Sequence, residues 1–129
     1  MTRTEIIDYL LTPQPPTVRT DASEPVIGML LDELRLDEGI PPEVGEIAAH
    51  VATSRRQLGR EKYGIDLYTH SGRDFRSDLF QELSDAVNYS FGAGLEHPEY
   101  AKEFAEIAGI QMVLMDRVVQ LVEKMGVKS

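Results

Sequence analysis

The sequence contains no cysteine, which excludes disulfides and thiolate metal sites and fits a cytoplasmic, reducing location. It has no run of about 18 apolar residues, so no transmembrane helix is expected. The N-terminal residues lack a small-residue cleavage site, so we expect no signal peptide. Positive charge is also scarce, because 13 Lys and Arg stand against 22 Asp and Glu and give a net charge of −9. This balance disfavours nucleic acid polymers as partners but permits a small phosphorylated ligand.

Helical spacing of the apolar residues predicts an all-α fold, a small helical bundle that homo-oligomerisation completes. A chain of 129 residues suits one domain. A first short helix over residues 4–11 is followed by prolines at positions 13, 15 and 16, which favour an extended segment. We therefore divide the chain into an N-terminal helix with a Pro-rich arm, residues 1–22, and a helical domain, residues 23–129.

The ends of the later helices are predicted from capping residues. These helices cover residues 23–36, 42–63, 74 to 92 or 94, and 97–126. Ser23 and Asp74 are good N-caps, and Pro25 stands in a first turn where proline is tolerated. Gly64 is a natural C-terminal stop. The prediction is three long helices, two shorter ones, and a functional loop over residues 65–73.

The apolar positions predict which helix faces are buried. For the third helix they are Val44, Ile47, Val51 and Leu58, and for the fourth Phe75, Leu79, Leu83, Ala86 and Val87. For the last helix they are Phe104, Ile107, Ala108, Met112, Met115, Val119 and Val122. A second apolar face of the last helix holds Ile110, Val113, Leu114 and Val118. Because a helix that is apolar on two faces is buried by two neighbours, this second face predicts a subunit interface.

Acidic residues of the third and fourth helices form the candidate catalytic and metal site. Glu82 and Asp85 are three residues apart, so their carboxylates project from nearly the same helix face, an arrangement that suits Mg²⁺. Glu61 would supply a third carboxylate if the third and fourth helices are antiparallel. The competing interpretation is a set of ordinary surface acids paired with Arg73 or Arg76.

A local cluster of basic residues next to these acids forms the candidate substrate-binding site. Six of the 13 Lys and Arg residues lie between positions 55 and 76, namely Arg55, Arg56, Arg60, Lys62, Arg73 and Arg76. Such a cluster suits a phosphate, although a solvated face with scattered ion pairs is the alternative. Our candidate ligand contacts are Arg55, Arg60, Lys62, His70, Arg73 and Tyr89. His70 stands out because it lies in the loop beside a serine, a glycine and an arginine.

Residues 81–89, Gln-Glu-Leu-Ser-Asp-Ala-Val-Asn-Tyr, resemble the second acidic motif of the all-α MazG-like nucleotide pyrophosphohydrolases. The wider pattern over residues 60–85 is similar to small bacteriophage and actinobacterial proteins of that type. The resemblance implies a helical homo-oligomer that binds Mg²⁺ and cleaves a nucleoside triphosphate between its α- and β-phosphates. It assigns Glu82 and Asp85 to the second motif and leaves the first open between Glu61 and the Glu43-x-x-Glu46 pair.

Two functions therefore stay open from the sequence. One is binding of a nucleotide phosphate, with or without Mg²⁺-dependent pyrophosphohydrolysis. The other is a non-catalytic, phage-type helical oligomer that binds a nucleotide signal or a protein partner.

Overall fold

A computed structural model describes residues 1–21, 23–36, 38–64 and 68–127. The described helices are α1 (Arg3–Leu10), α2 (Val26–Leu36), α3 (Pro42–Tyr63), α4 (Phe75–Glu96), a 3-10 turn (Pro98–Tyr100) and α5 (Ala101–Met125). The prediction of an all-α fold with three long and two shorter helices is confirmed. Within the described ranges, none of the helices has both the length and the apolar character needed to cross a membrane.

The helix ends follow the local signals closely at α3 and at the start of α4. Helix α3 begins at Pro42 and stops at Gly64, whose φ of 74° is left-handed and whose N–H donates to the Arg60 carbonyl at 2.9 Å. Helix α4 is capped by Asp74, whose carboxylate accepts from the Arg76 N–H at 2.9 Å. It runs on to Glu96, beyond the predicted end, because the half-buried Gly92 and Gly94 only weaken a helix that is packed on its neighbours.

The start of α2 differs from the prediction. The Ser23 hydroxyl accepts from the Thr20 N–H at 2.8 Å, so it closes a turn before the helix. Pro25 lies outside the helix and forms an isolated antiparallel bridge with Tyr68. Helix α2 therefore begins at Val26, because the preceding residue is held extended by the loop it pairs with.

The chain forms two compact units. The first, called the three-helix unit, contains residues 1–15 and 74–127 and holds α1, α4 and α5. Its core consists of Ile6, Leu10, Phe80, Val118, Val119 and Val122. Two of these residues come from α1, so the N-terminal helix contributes to the same core as the last two helices.

The second, called the two-helix unit, contains residues 16–73 and holds α2 and α3. Two backbone hydrogen bonds join its first segment to the loop before α4, from the Val18 N–H to the Ser71 carbonyl at 2.8 Å and from the Thr69 N–H to the Glu24 carbonyl at 2.9 Å. The Arg19 guanidinium lies 4.7 Å from the centre of the Tyr68 ring, a cation–π contact. The described part of this loop is therefore tied down by local contacts.

Several predicted burials are wrong. On α3, all four predicted core residues are exposed, while Ala52 is buried. On α4, Leu79 is exposed and Phe80 is buried. On α5, Val118 belongs to the core and not to the second face, and Ile107 and Met112 are exposed. A shift of one residue turns a helix by about 100°, so apolar residues on two neighbouring faces leave the buried face undecided until a packing partner is known.

Candidate functional site

The predicted site residues are divided between the two units. Arg55, Arg60, Glu61, Lys62, His70 and Arg73 lie in the two-helix unit, and Glu82, Asp85 and Tyr89 lie in the three-helix unit. Convergence of Glu61 with Glu82 and Asp85 stays a prediction. Among the residues that the structure describes, no three His, Asp or Glu side chains are grouped closely enough to hold a metal ion.

The acidic stretch of α4 contains one residue with a clear structural role. The Gln81 side-chain amide donates to the carbonyls of Leu10 and Thr12 at 2.9 and 3.0 Å. It therefore satisfies backbone acceptors left open at the end of α1. The neighbouring Glu82 and Asp85 are both exposed, so they present two carboxylates to solvent from one face of α4.

The start of α4 contains an ion pair between Asp74, its N-cap, and Arg76 in its first turn. The Arg76 guanidinium donates to both carboxylate oxygens of Asp74, with the shortest separation at 2.8 Å. The Tyr9 hydroxyl donates a hydrogen bond to the same carboxylate at 2.7 Å. The side chains of Asp74 and Arg76 are 19% and 18% exposed, so water screens the pair only weakly. The hydrogen bonds from Arg76 hold the pKa of Asp74 at about 2.

This ion pair connects three distant parts of the three-helix unit. Arg76 also donates to the carbonyls of Gly126 and Val127 at 3.0 and 2.6 Å, at the end of α5. The Asp74 N–H donates to the side chain of Gln14 at 2.7 Å. Because these contacts join the segment after α1, the start of α4 and the end of α5, Asp74 and Arg76 act as fold-stabilising residues.

The loop before α4 is described from residue 68 onward, and residues 65–67 of the predicted functional loop lie outside the described ranges. His70 is exposed and has a φ of 50°, a conformation that histidine adopts more readily than most residues. Its carbonyl accepts from the Thr20 hydroxyl at 3.0 Å. Ser71 is fully buried and its hydroxyl has no hydrogen-bond partner. Of these two side chains, only that of His70 is accessible to a ligand.

A groove of about 540 Å³ lies along one face of α3. We call it the basic groove. Its described lining provides two guanidinium groups, an imidazole, two hydroxyls and an amide, and it contains no carboxylate. The residues are His50, Thr53, Ser54, Arg56, Gln57 and Arg60. The Gln57 amide donates to Glu61 at 3.0 Å, so Glu61 is held beside the groove. The groove therefore concentrates positive charge and hydrogen-bond donors in a protein of net charge −9.

Sequence reasoning found only part of this groove. It named Arg60 as a ligand contact and Arg56 as a member of the basic cluster, but it did not name His50. The usable signal was the spacing of polar residues at 50, 53, 54, 57 and 60, which places them on one helix face. The predicted site did not use this spacing, since it was drawn from the charged residues around the loop after α3. Arg55 and Lys62 are exposed on α3 but are not part of the described lining.

Comparison of the chain with protein-family profiles, with curated proteins and with solved structures gives no match. The resemblance to MazG-like pyrophosphohydrolases therefore rests on residues 60–89 alone.

Proposed function

We propose that the protein binds a nucleotide or another small phosphorylated ligand through the basic groove of α3. The observation that carries this proposal is the pair Arg56 and Arg60, together with His50, in the lining of one groove. Guanidinium groups match phosphate oxygens in a bidentate geometry and keep their charge at any physiological pH. The Ser54 hydroxyl and the Gln57 amide add neutral donors to the same face.

A narrower form of the proposal is Mg²⁺-dependent pyrophosphohydrolysis by a MazG-like protein. The resemblance supports it, and Glu82, Asp85 and Glu61 are the acids that it would use. The two acids of α4 are exposed on one face. The described residues provide no ready-made group of three metal ligands, so binding and turnover are separate questions for experiment.

Calorimetric titration with a panel of nucleoside triphosphates, with and without Mg²⁺, tests the binding proposal. We expect Arg60→Ala to weaken binding about ten- to a hundredfold, the effect of losing a charged hydrogen bond to phosphate. Arg55→Ala is the matched control, because it removes the same charge from the same helix outside the described groove lining. An equal loss of affinity in the two variants would mean that only the net charge of the protein matters, and it would contradict specific binding in the groove.

Release of pyrophosphate in the same samples separates an enzyme from a binder. If the narrower form is right, turnover requires Mg²⁺ and is abolished by Glu82→Gln, whereas binding of the triphosphate survives. Binding without turnover across the panel would leave a nucleotide-binding protein that does not hydrolyse its ligand.

A second candidate function is an interaction protein that forms a homo-oligomer, and the exposed apolar residues favour it. On α5, Ile110 and Val113 are 64% and 69% exposed, with Leu114 and Leu121 also exposed. On α3, Ile47 is 66% exposed within the stripe Val44, Ile47, Val51 and Leu58. Large exposed apolar patches in soluble proteins commonly mark interaction sites, so a second copy of the chain is the simplest partner.

Light scattering of the purified protein tests this second candidate. Val118→Lys is unsuitable as a dissociating variant, because Val118 is a core residue and lysine there would unfold the three-helix unit. Val113→Lys places the charge on the exposed face, and we expect it to dissociate the oligomer while circular dichroism stays unchanged. A monomer of 14.5 kDa for the native chain at micromolar concentration would contradict the proposal.

A further inference from the structure

We propose that the basic groove continues into an apolar groove and that the ligand therefore carries an apolar group joined to its phosphate. The inference rests on the proposed function, because the basic groove supplies the site for the anion. The apolar groove has a volume of about 430 Å³ and is lined by residues of α2 and α3 and of the connection between them, among them Leu31, Leu34 and Ile40. Thr53 lines both grooves, so the two meet at this residue.

The α3 residues that line the two grooves lie on one continuous face. They follow each other in steps of three or four residues: Glu46, Ala49, Thr53, Gln57 and Arg60. Such steps keep side chains on one side of a helix, and the separation of fourteen positions from Glu46 to Arg60 corresponds to about 21 Å along the helix axis. The Thr53 hydroxyl donates to the Ala49 carbonyl at 2.8 Å, so its donor is used inside the helix where the grooves join. The grooves are therefore arranged end to end.

The two ends of this face differ in charge, which fixes how a ligand would lie. The apolar groove has one charged residue in its described lining, Glu46, whose carboxylate repels an anion. The basic groove has Arg56 and Arg60 at the other end. The anionic group is therefore assigned to the arginines, and the apolar group to Leu31, Leu34 and Ile40.

Arg56 and Arg60 each take part in an interaction within the chain. A guanidinium has five N–H donors in a planar fork, so it can keep one partner and still donate to a phosphate. Recognition of the anion therefore does not require either arginine to be released.

Two sources provide this ligand chemistry. A nucleotide joins the flat apolar face of its base to its phosphates through a sugar, and an alkyl phosphate joins a hydrocarbon chain to one directly. Titrations in EDTA distinguish them with two matched pairs of probes, adenosine triphosphate against inorganic tripolyphosphate and hexyl phosphate against inorganic phosphate.

We expect the apolar group to tighten binding about tenfold in at least one pair, the effect of removing roughly 60 Å² of apolar surface from water. Gly45→Leu fills the apolar groove and should abolish this gain without changing the affinity for tripolyphosphate. A Cβ at position 45 would lie 3.6 Å from Ile40, an ordinary contact, so the helix accepts the substitution. Gly59→Leu is the matched control, since it lies on the same helix with open space around it and outside both described linings.

Ala49→Met is a second groove-filling variant in case Gly45→Leu does not fold. Equal affinities within both probe pairs would overturn the inference while leaving phosphate binding intact. A gain for hexyl phosphate alone would support the two-part groove and overturn the nucleotide part of the proposed function. Failure of all four probes to bind would overturn both.

Discussion

Replacing Asp74 by Asn should destabilise the three-helix unit by about 2 kcal/mol at pH 7. The carboxylate pKa lies at about 2, against an ordinary value of 3.8, and each pKa unit corresponds to about 1.36 kcal/mol of preference for the charged form. The Asp74 side chain is 19% exposed, so solvent screening lowers this free energy only slightly. Asparagine caps a helix about as well as aspartate, so the loss isolates the charged interaction with Arg76 and Tyr9.

The pH dependence of this loss has a definite sign. A carboxyl group whose pKa is lowered by folding stabilises the native state above its unfolded pKa, near 3.8, and loses that contribution as the pH falls through about 2. The difference in unfolding free energy between the native protein and Asp74→Asn should therefore be constant from about pH 5 to 7. It should fall below about 0.5 kcal/mol at pH 2.

Urea denaturation followed by circular dichroism at several pH values measures this difference. Asp85→Asn is the control, because it removes the same charge from an exposed position on the same helix. A difference that does not change between pH 2 and pH 7, or one no larger than that of the control, would refute the assignment of Asp74 to a stabilising ion pair.

Three further predictions concern single residues. Gln81→Met should destabilise the protein by about 1–3 kcal/mol, because it removes the side-chain donor of the Leu10 carbonyl and one of two side-chain donors of the Thr12 carbonyl, and urea denaturation would measure it. Gly64→Ala should lower the free energy of unfolding by about 1 kcal/mol, because the φ of 74° is strained for any residue with a Cβ, and thermal unfolding would measure it. Gly59→Ala, in the interior of α3, should be neutral or stabilising. If Glu82 and Asp85 bind a divalent cation, Mg²⁺ or Mn²⁺ should raise the melting temperature of the native protein but not that of Glu82→Gln. An unchanged melting temperature of the native protein would contradict a metal site there.

Local sequence signals predicted where helices begin and end better than which faces they bury. Pro42, Gly64 and Asp74 act within one turn of their own position, so their effect is visible in the sequence. The choice between Leu79 and Phe80 as a core residue depends on contacts with α1 and α5, and Phe80 lies about 70 residues from its partners in α1. No local pattern contains that information.

The same limit applies to the candidate site. The sequence identified the basic and acidic residue types of the region and predicted Asp74 as a helix cap, but it did not predict the ion pair that engages Asp74. That residue is engaged by Tyr9, which is 65 positions earlier, and by an arginine that also contacts the end of α5. The basic groove was recoverable in principle, because its residues share one face of a single helix. Its apolar continuation was not, because it requires α2 to be placed against α3.

Backbone amide shifts during a titration with adenosine triphosphate test the central claim, that the ligand binds along α3, most directly. We expect the largest shifts at His50, Ser54, Gln57 and Arg60, with smaller ones at Leu31 and Ile40. Arg60→Ala should reduce these shifts at equal ligand concentration, and Arg55→Ala should not. Shifts concentrated on Glu82, Asp85 and Tyr89 of α4, with α3 unchanged, would contradict the account and favour a site on the acidic face.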